Sequence, residues 1–361
     1  MARHAVDWAL GYTKRDKGPL AGTQTADYNM QKLLREGYIR DSNLLDIGGL
    51  KDFAWQVTWA DERRTGDDAL ETHLGDGEGY VIFVHGWTGN HTIWEQLPSM
   101  LVTRNPRLIA IAVDHNGFGQ SQFSRDPSLD DCNPPAAMRV LENFVETLKL
   151  RRQRGETAPK VINFVGHSMG GATLFYANPA AWSPGEMTRY ALAPALLLED
   201  QGKQAFYTGL GLATELVNRV SAFEVILNAV TPPIVSVLCA GASDYIRQAH
   251  ERQTFQTDPG TTAATFTAMG QLRDYNIATQ HFDTMRVMLG HVDALVGLGP
   301  TIDLMSKLAL PPGNVRVVPG SHYFFSVGAD SQVKHTRNRD LVVDDISELH
   351  SRAYQRQQSG Q

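Results

Sequence analysis

The 361-residue chain is 42% hydrophobic and carries a formal net charge of −6. That length and apolar content support a sizeable core, either in one large domain with an insertion or in two domains. A nucleic-acid partner would call for a basic excess, which is missing, and no stretch approaches the ~18 apolar residues that span a bilayer, so no stable membrane insertion is expected.

The opening "MARHAVDWALGYTKRD" carries charges throughout and has no continuous apolar core, so it does not read as a secretory signal. A soluble, cytoplasmic protein is expected. Two cysteines, Cys132 and Cys239, read as unpaired thiols in a reducing compartment. No CxxC, HExxH or EF-hand pattern occurs and the histidines are scattered, so neither a metal nor a cofactor is expected.

Residues 1–50 are polar and mixed and read as an N-terminal extension, with "ADYNMQKLLREGYI" as a helix. The alternation of Phe53, Trp55, Val57 and Trp59 has period two, as in a half-buried strand. "GYVIFVHGW", "RLIAIAVDHNGFGQS" and "KVINFVGHSMGG" are continuous apolar runs that end in glycine-rich turns. Such runs suit strands covered on both faces of a parallel sheet. Between the last two, Met138, Leu141, Phe144, Val145 and Leu148 recur at helical spacing. "RYALAPALLL", "TMRVMLGHVDALV" and "NVRVVPGSHYFF" are further strand candidates. Strands alternating with helices predict an α/β fold with a mainly parallel sheet.

The rhythm breaks between about Glu199 and Asp283, where turns are sparse and apolar spacing is helical, with a Pro232-Pro233 break inside. This stretch reads as an inserted helical cap over residues 199–283, leaving 51–198 and 284–361 as the core.

The run into "GHSMGG" places Ser168 at a strand-to-helix turn. A serine hydroxyl attacks well only when its oxygen stands clear of the backbone beside a base. A tight turn provides this, and Gly166, Gly170 and Gly171 remove the side chains that would collide there. The start of a helix also points free backbone N–H groups toward the site. Ser168 is therefore the candidate nucleophile.

With these landmarks the chain resembles the α/β-hydrolase family over about residues 75 to 340. "HGWTGN" looks like its oxyanion loop and "DHNGFGQS" like its D-x-x-G-x-G-x-S turn. "GHSMGG" looks like the nucleophile elbow, "LGHVDALV" the acid turn and "GSHYFF" the histidine loop, in the family's order. The resemblance implies His322 as the base, after an apolar strand and a Pro-Gly turn. His335 and His350, in polar sequence, read as surface residues. It implies Asp293 as the acid that orients His322, with Glu199 and Asp200 as the alternative and Asp303 as a weaker one. Asp114 reads as organising its own glycine turn. The implied oxyanion donors are the backbone N–H groups of Trp87 and Met169. Trp87 is also expected to wall the acyl pocket, and His85 to organise its loop. His167 either lines the pocket or packs beside it.

Relatives with aspartate at the nucleophile position attack halides or epoxides; serine implies acyl transfer. Tyr207, Tyr245 and Tyr275 in the cap read as packing residues. The leading expectation is a serine hydrolase for carboxylic esters with apolar acyl or aromatic groups, lipase-like or esterase-like, needing no cofactor. Carbon–carbon hydrolases, lactonases, thioesterases and cofactor-free haloperoxidases of this family stay open. So does a ligand-binding receptor with little turnover. The N-terminal ~70 residues are a candidate homodimer surface.

Overall fold

The structure is a computed structural model. It describes residues 19–39, 43–60, 78–115, 117–151, 158–218, 235–236, 239–240, 242–273, 277, 279, 282–326 and 332–359. Pro232-Pro233 and Tyr275 lie outside the described residues, as does the side chain of His335.

An eight-stranded sheet organises the chain in the order β1-β3-β5-β4-β7-β8-β9-β10. Its members are β1 (Thr23–Asn29), β3 (Ala54–Ala60), β4 (Gly79–Val84), β5 (Leu108–Asp114), β7 (Val161–His167), β8 (Met187–Leu192), β9 (Met285–Gly290) and β10 (Val315–Val318). From β5 to β10 every neighbouring pair is parallel, while β3 runs antiparallel to both β5 and β1. Two short strands, β2 (Leu50–Asp52) and β6 (Gln122–Phe123), pair separately.

The continuous apolar runs become the central strands because both faces of the sheet are covered. Successive side chains point to opposite faces. On β4, Val81 and Phe83 enter one core while Tyr80, Ile82 and Val84 enter the other. Helix α1 (Leu97–Arg104) covers the first face. Helix α2 (Pro134–Thr147) covers the second with Met138, Leu141, Phe144 and Val145. Proline stands in the first turn of α2, and the Asn133 side chain caps it by accepting from the Ala136 N–H at 2.8 Å.

Two local expectations change. The segment read as one helix from Ala26 is strand through Asn29 and helix only from Met30 to Arg35. Pairing with β3 claims the first part, so tertiary hydrogen bonding overrides local pattern. Residues 23–29 of the extension are thereby the edge strand of the sheet. His350 is buried, with its Nδ1 3.2 Å from the Asn163 side-chain amide. A polar helix docked on a sheet hides a histidine that looks exposed in sequence.

Further helices are α3 (Met169–Thr173), α4 (Gln201–Asn218), α5 (Asp244–Gln256), α6 (Pro259–Gln271), α7 (Leu298–Lys307) and α8 (Gln332–Ser359). Helices α4 to α6 all fall between β8 and β9, within the stretch expected to form a cap. Cys132 and Cys239 are both buried and are not joined by a disulfide.

Helix α8 is joined to the sheet by a buried carboxylate. Asp345 accepts from the Tyr190 hydroxyl at 2.7 Å and from Arg286 and Arg316, each at 2.9 Å. Removing one partner of a buried charged cluster leaves the others uncompensated. Asp345→Ala is expected to cost about 3 kcal/mol of stability, since Arg316 is partly exposed and can rehydrate. Urea unfolding followed by circular dichroism measures it; a loss below about 1 kcal/mol would mean that the other contacts of α8 hold it without this cluster.

Candidate active site

Strand β7 ends at His167, and the next residue turns the chain into α3. Ser168 has φ 54° and ψ −117°, a left-handed conformation that a non-glycine residue adopts only when its surroundings impose it. Three backbone bonds do so. The Ser168 N–H donates to the Leu192 carbonyl at 2.9 Å, and its own carbonyl accepts from Ala172 and Ala195, both at 2.9 Å.

The flanking glycines are required by contact. A Cβ on Gly170 would lie 2.2 Å from the Val84 carbonyl oxygen, and one on Gly166 would lie 2.3 Å from the Gly170 oxygen. A Cβ on Gly86 would approach the Ser168 Cβ to 2.9 Å, so the loop after β4 presses directly on the serine.

Asp293 and His322 come together as the sequence suggested. The His322 Nδ1–H donates to Asp293 Oδ2 at 2.8 Å. The other carboxylate oxygen accepts the backbone N–H groups of Leu295, at 2.9 Å, and Val296, at 3.2 Å. Burial works against the Asp293 charge, but the His322 ring and these donors outweigh it and hold the carboxyl below its usual range. With Nδ1 carrying the proton, Nε2 presents a lone pair. The alternative acids are placed elsewhere. Glu199 pairs with Lys307, Asp200 caps α4 through the Lys203 N–H, and Asp303 is exposed on α7.

Ser168 and His322 face one cavity, walled further by Trp87, Thr88, Tyr207, Val235, Cys239, His250, Met269, Leu295 and Tyr323. It measures about 20 Å³, room for roughly one water. Tyr207, read from sequence as a packing residue, is buried yet part of this wall. Thr88, His250 and Tyr323 were missed. Thr88 and Tyr323 each follow a singled-out residue directly, a usable signal, whereas His250 sits on α5 with no local motif.

His167 does not wall the cavity. Its Nε2–H donates to the His322 carbonyl at 3.1 Å, and its ring packs against Tyr323 with centroids 4.5 Å apart. It therefore supports the histidine loop from beneath. His85 organises its loop as expected: Nδ1–H donates to the Gly86 carbonyl at 2.7 Å and Nε2 accepts the His115 N–H at 3.0 Å. Asp114 gathers the glycine turn, accepting from the His91 N–H at 2.7 Å and the Gln120 N–H at 2.8 Å. Among the described residues no cluster has the make-up of a metal site.

Five buried histidines are held neutral, chiefly by burial: His85, His115, His167, His250 and His350. His115 and His350 are pushed down to about 4 and His250 to about 3. The unfolded chain takes up protons near pH 6.5 that these rings refuse, so folded stability falls as pH drops below about 6.5. His91 runs the other way: burial opposes its charge, but Asp114 raises its pKa, a contribution complete below about 6.5 and lost above it. Five against one, the melting temperature should fall steeply from pH 6.5 toward pH 4, more than between pH 8 and 6.5. Scanning calorimetry across that range checks it; a flat melting temperature down to pH 4.5 would mean that these rings are not buried neutral.

A family model described as the alpha/beta hydrolase fold matches residues 79–199, the segment from β4 through the serine turn and β8. No curated protein sequence matches the chain. Among solved structures, a bromoperoxidase from Bacillus anthracis is 16% identical with a TM-score of 0.55, covering 81% of this chain and 95% of its own. An esterase from Exiguobacterium antarcticum is 13% identical with a TM-score of 0.53, covering 82% and 96%. An enol-lactonase from Burkholderia xenovorans is 14% identical with a TM-score of 0.53, covering 84% and 97%. The parallel sheet, the strained serine turn at its centre and these matches together show that this chain has the α/β-hydrolase fold.

Proposed function

We propose that the protein is a serine hydrolase that cleaves carboxylic esters with apolar acyl or aromatic groups through an acyl-enzyme. The observation that carries this reading is the Asp293-bound His322 sharing one cavity with Ser168 on its strained turn. His322 Nε2 takes the Ser168 hydroxyl proton as Oγ attacks the ester carbonyl carbon. The resulting oxyanion is stabilised by the backbone N–H groups of Trp87 and Met169. Collapse breaks the bond to the alkoxide, which leaves with the proton from His322. Water then attacks the acyl carbon, gives its proton to His322, and releases the acid while Ser168 regains its hydrogen. Asp293 holds the tautomer and stabilises the imidazolium throughout.

The apolar part of the wall, Trp87, Val235, Met269 and Leu295, favours an apolar acyl or aromatic group. Helices α4 to α6, which supply Tyr207, His250 and Met269 to its wall, serve as the cap. A lactone fits the same reading, because it is a cyclic carboxylic ester and an enol-lactonase shares the fold.

Steady-state hydrolysis of p-nitrophenyl acetate, butyrate, octanoate and palmitate tests this. Sustained turnover of at least one ester is expected, and the chain-length profile reads the acyl preference. Ser168→Ala and His322→Ala should each lower kcat about 10⁴-fold or more, and Asp293→Ala somewhat less. Equal inactivity of wild type and Ser168→Ala on every ester would overturn the reading.

The cavity wall also explains where a thiol-directed reagent should fail. Burial pushes the Cys239 and Cys132 thiols up to about 12, so neither forms thiolate near neutrality. Iodoacetamide at pH 7.5 is expected to leave activity intact over hours; rapid inactivation with alkylated Cys239 would show the cap opening far enough to expose it.

A further inference from the structure

Helix α5 reaches two of the loops that build the site, the one after β4 and the one that carries His322. At its start, Ser243 Oγ donates to Glu95 at 2.7 Å and the Ser243 N–H donates to Ser326 Oγ at 3.2 Å. Near its end, Gln253 accepts from the Gly119 N–H at 2.8 Å. Between them is His250, whose two ring nitrogens both reach into the core. Nδ1 lies 2.9 Å from Thr88 Oγ1 and Nε2 lies 2.5 Å from the Tyr323 hydroxyl.

These two partners hold special positions. Thr88 follows Trp87 and has φ 48°, a conformation that a β-branched residue adopts only under constraint. Tyr323 follows His322, and its ring packs on His322 with centroids 5.5 Å apart. A neutral imidazole gives one hydrogen bond and receives one, so in either tautomer both contacts are satisfied.

We propose that His250 is a positioning residue: from the cap it clamps the oxyanion loop through Thr88 and the histidine loop through Tyr323, so that the site is assembled only while α5 is docked. The proposal rests on the serine-hydrolase reading for its effect on rate. It differs from a packing role because two separate loops depend on one ring, and from a binding role because both ring nitrogens are engaged by the protein.

Kinetics with p-nitrophenyl acetate and histidine-labelled NMR spectra test it on the full chain. His250→Ala is expected to lower kcat about tenfold to a hundredfold with KM within about threefold, less than the 10²–10³-fold loss of an oxyanion donor removed outright. Thr88→Val combined with His250→Ala should be no slower than the slower single variant, because both cut the same link. His250→Asn, which keeps a polar atom where Nδ1 stood, should recover part of the rate, and Thr88→Val should abolish that recovery. His250→Gln keeps one at the Nε2 position; should His250→Ala fail to fold, the Asn and Gln variants carry the test. A kcat within twofold of wild type overturns the proposal. So does a raised KM with unchanged kcat, which would make His250 a substrate contact. If wild type turns over no ester, the functional reading fails by itself and the spectra decide the clamp. His322 ring resonances displaced in His250→Ala or His250→Asn and moved back toward wild type in His250→Gln support it, and resonances unchanged in His250→Ala and His250→Asn overturn it.

Discussion

The structure depends on one close approach. The loop leaving β4 and the turn leaving β7 meet with no space for a side chain at Gly86, Gly166 or Gly170. That contact forces Ser168 into its left-handed conformation, and the bonds to Leu192, Ala172 and Ala195 keep it there. Strain of this kind persists only where a rigid surround over-determines it. The buried parallel strands on either side supply that rigidity, because both of their faces are packed.

Around this centre, short-range contacts from distant parts of the chain converge. The acid turn after β9 and the loop after β10 bring Asp293 to His322. His167, one residue before the serine, holds the His322 carbonyl, so the serine turn and the loop that carries His322 share a support. Helix α8 adds a second: the Asn338 side-chain amide donates to the Pro319 carbonyl at 2.7 Å and the Phe324 carbonyl at 3.0 Å.

Much of this was legible in the sequence because it is local. An apolar run ending in Gly-x-Ser-x-Gly carries its own turn chemistry, and the order of nucleophile, acid and histidine is a linear property. The central strands were legible for the same reason. What the sequence hid was set by partners far away. Ala26–Asn29 is strand because β3 pairs with it. His350 is buried because a helix with polar sequence lies against Asn163. His250 looks like any polar residue on an amphipathic helix, and only its approach to Thr88 and Tyr323 distinguishes it. Tyr207 joins the cavity wall for a similar reason, since the register of α4 over the sheet is not encoded locally.

The support given by Asn338 has a consequence for synthesis. The serine turn and its sheet neighbours β4, β5, β7 and β8 are complete by about residue 198, whereas the loop bearing His322 is braced by a helix that begins at Gln332. A nascent chain emerging in order thus displays its strained serine long before the proposed base is fixed beside it. The site proposed here is therefore incomplete in a partly made chain until α8 has docked.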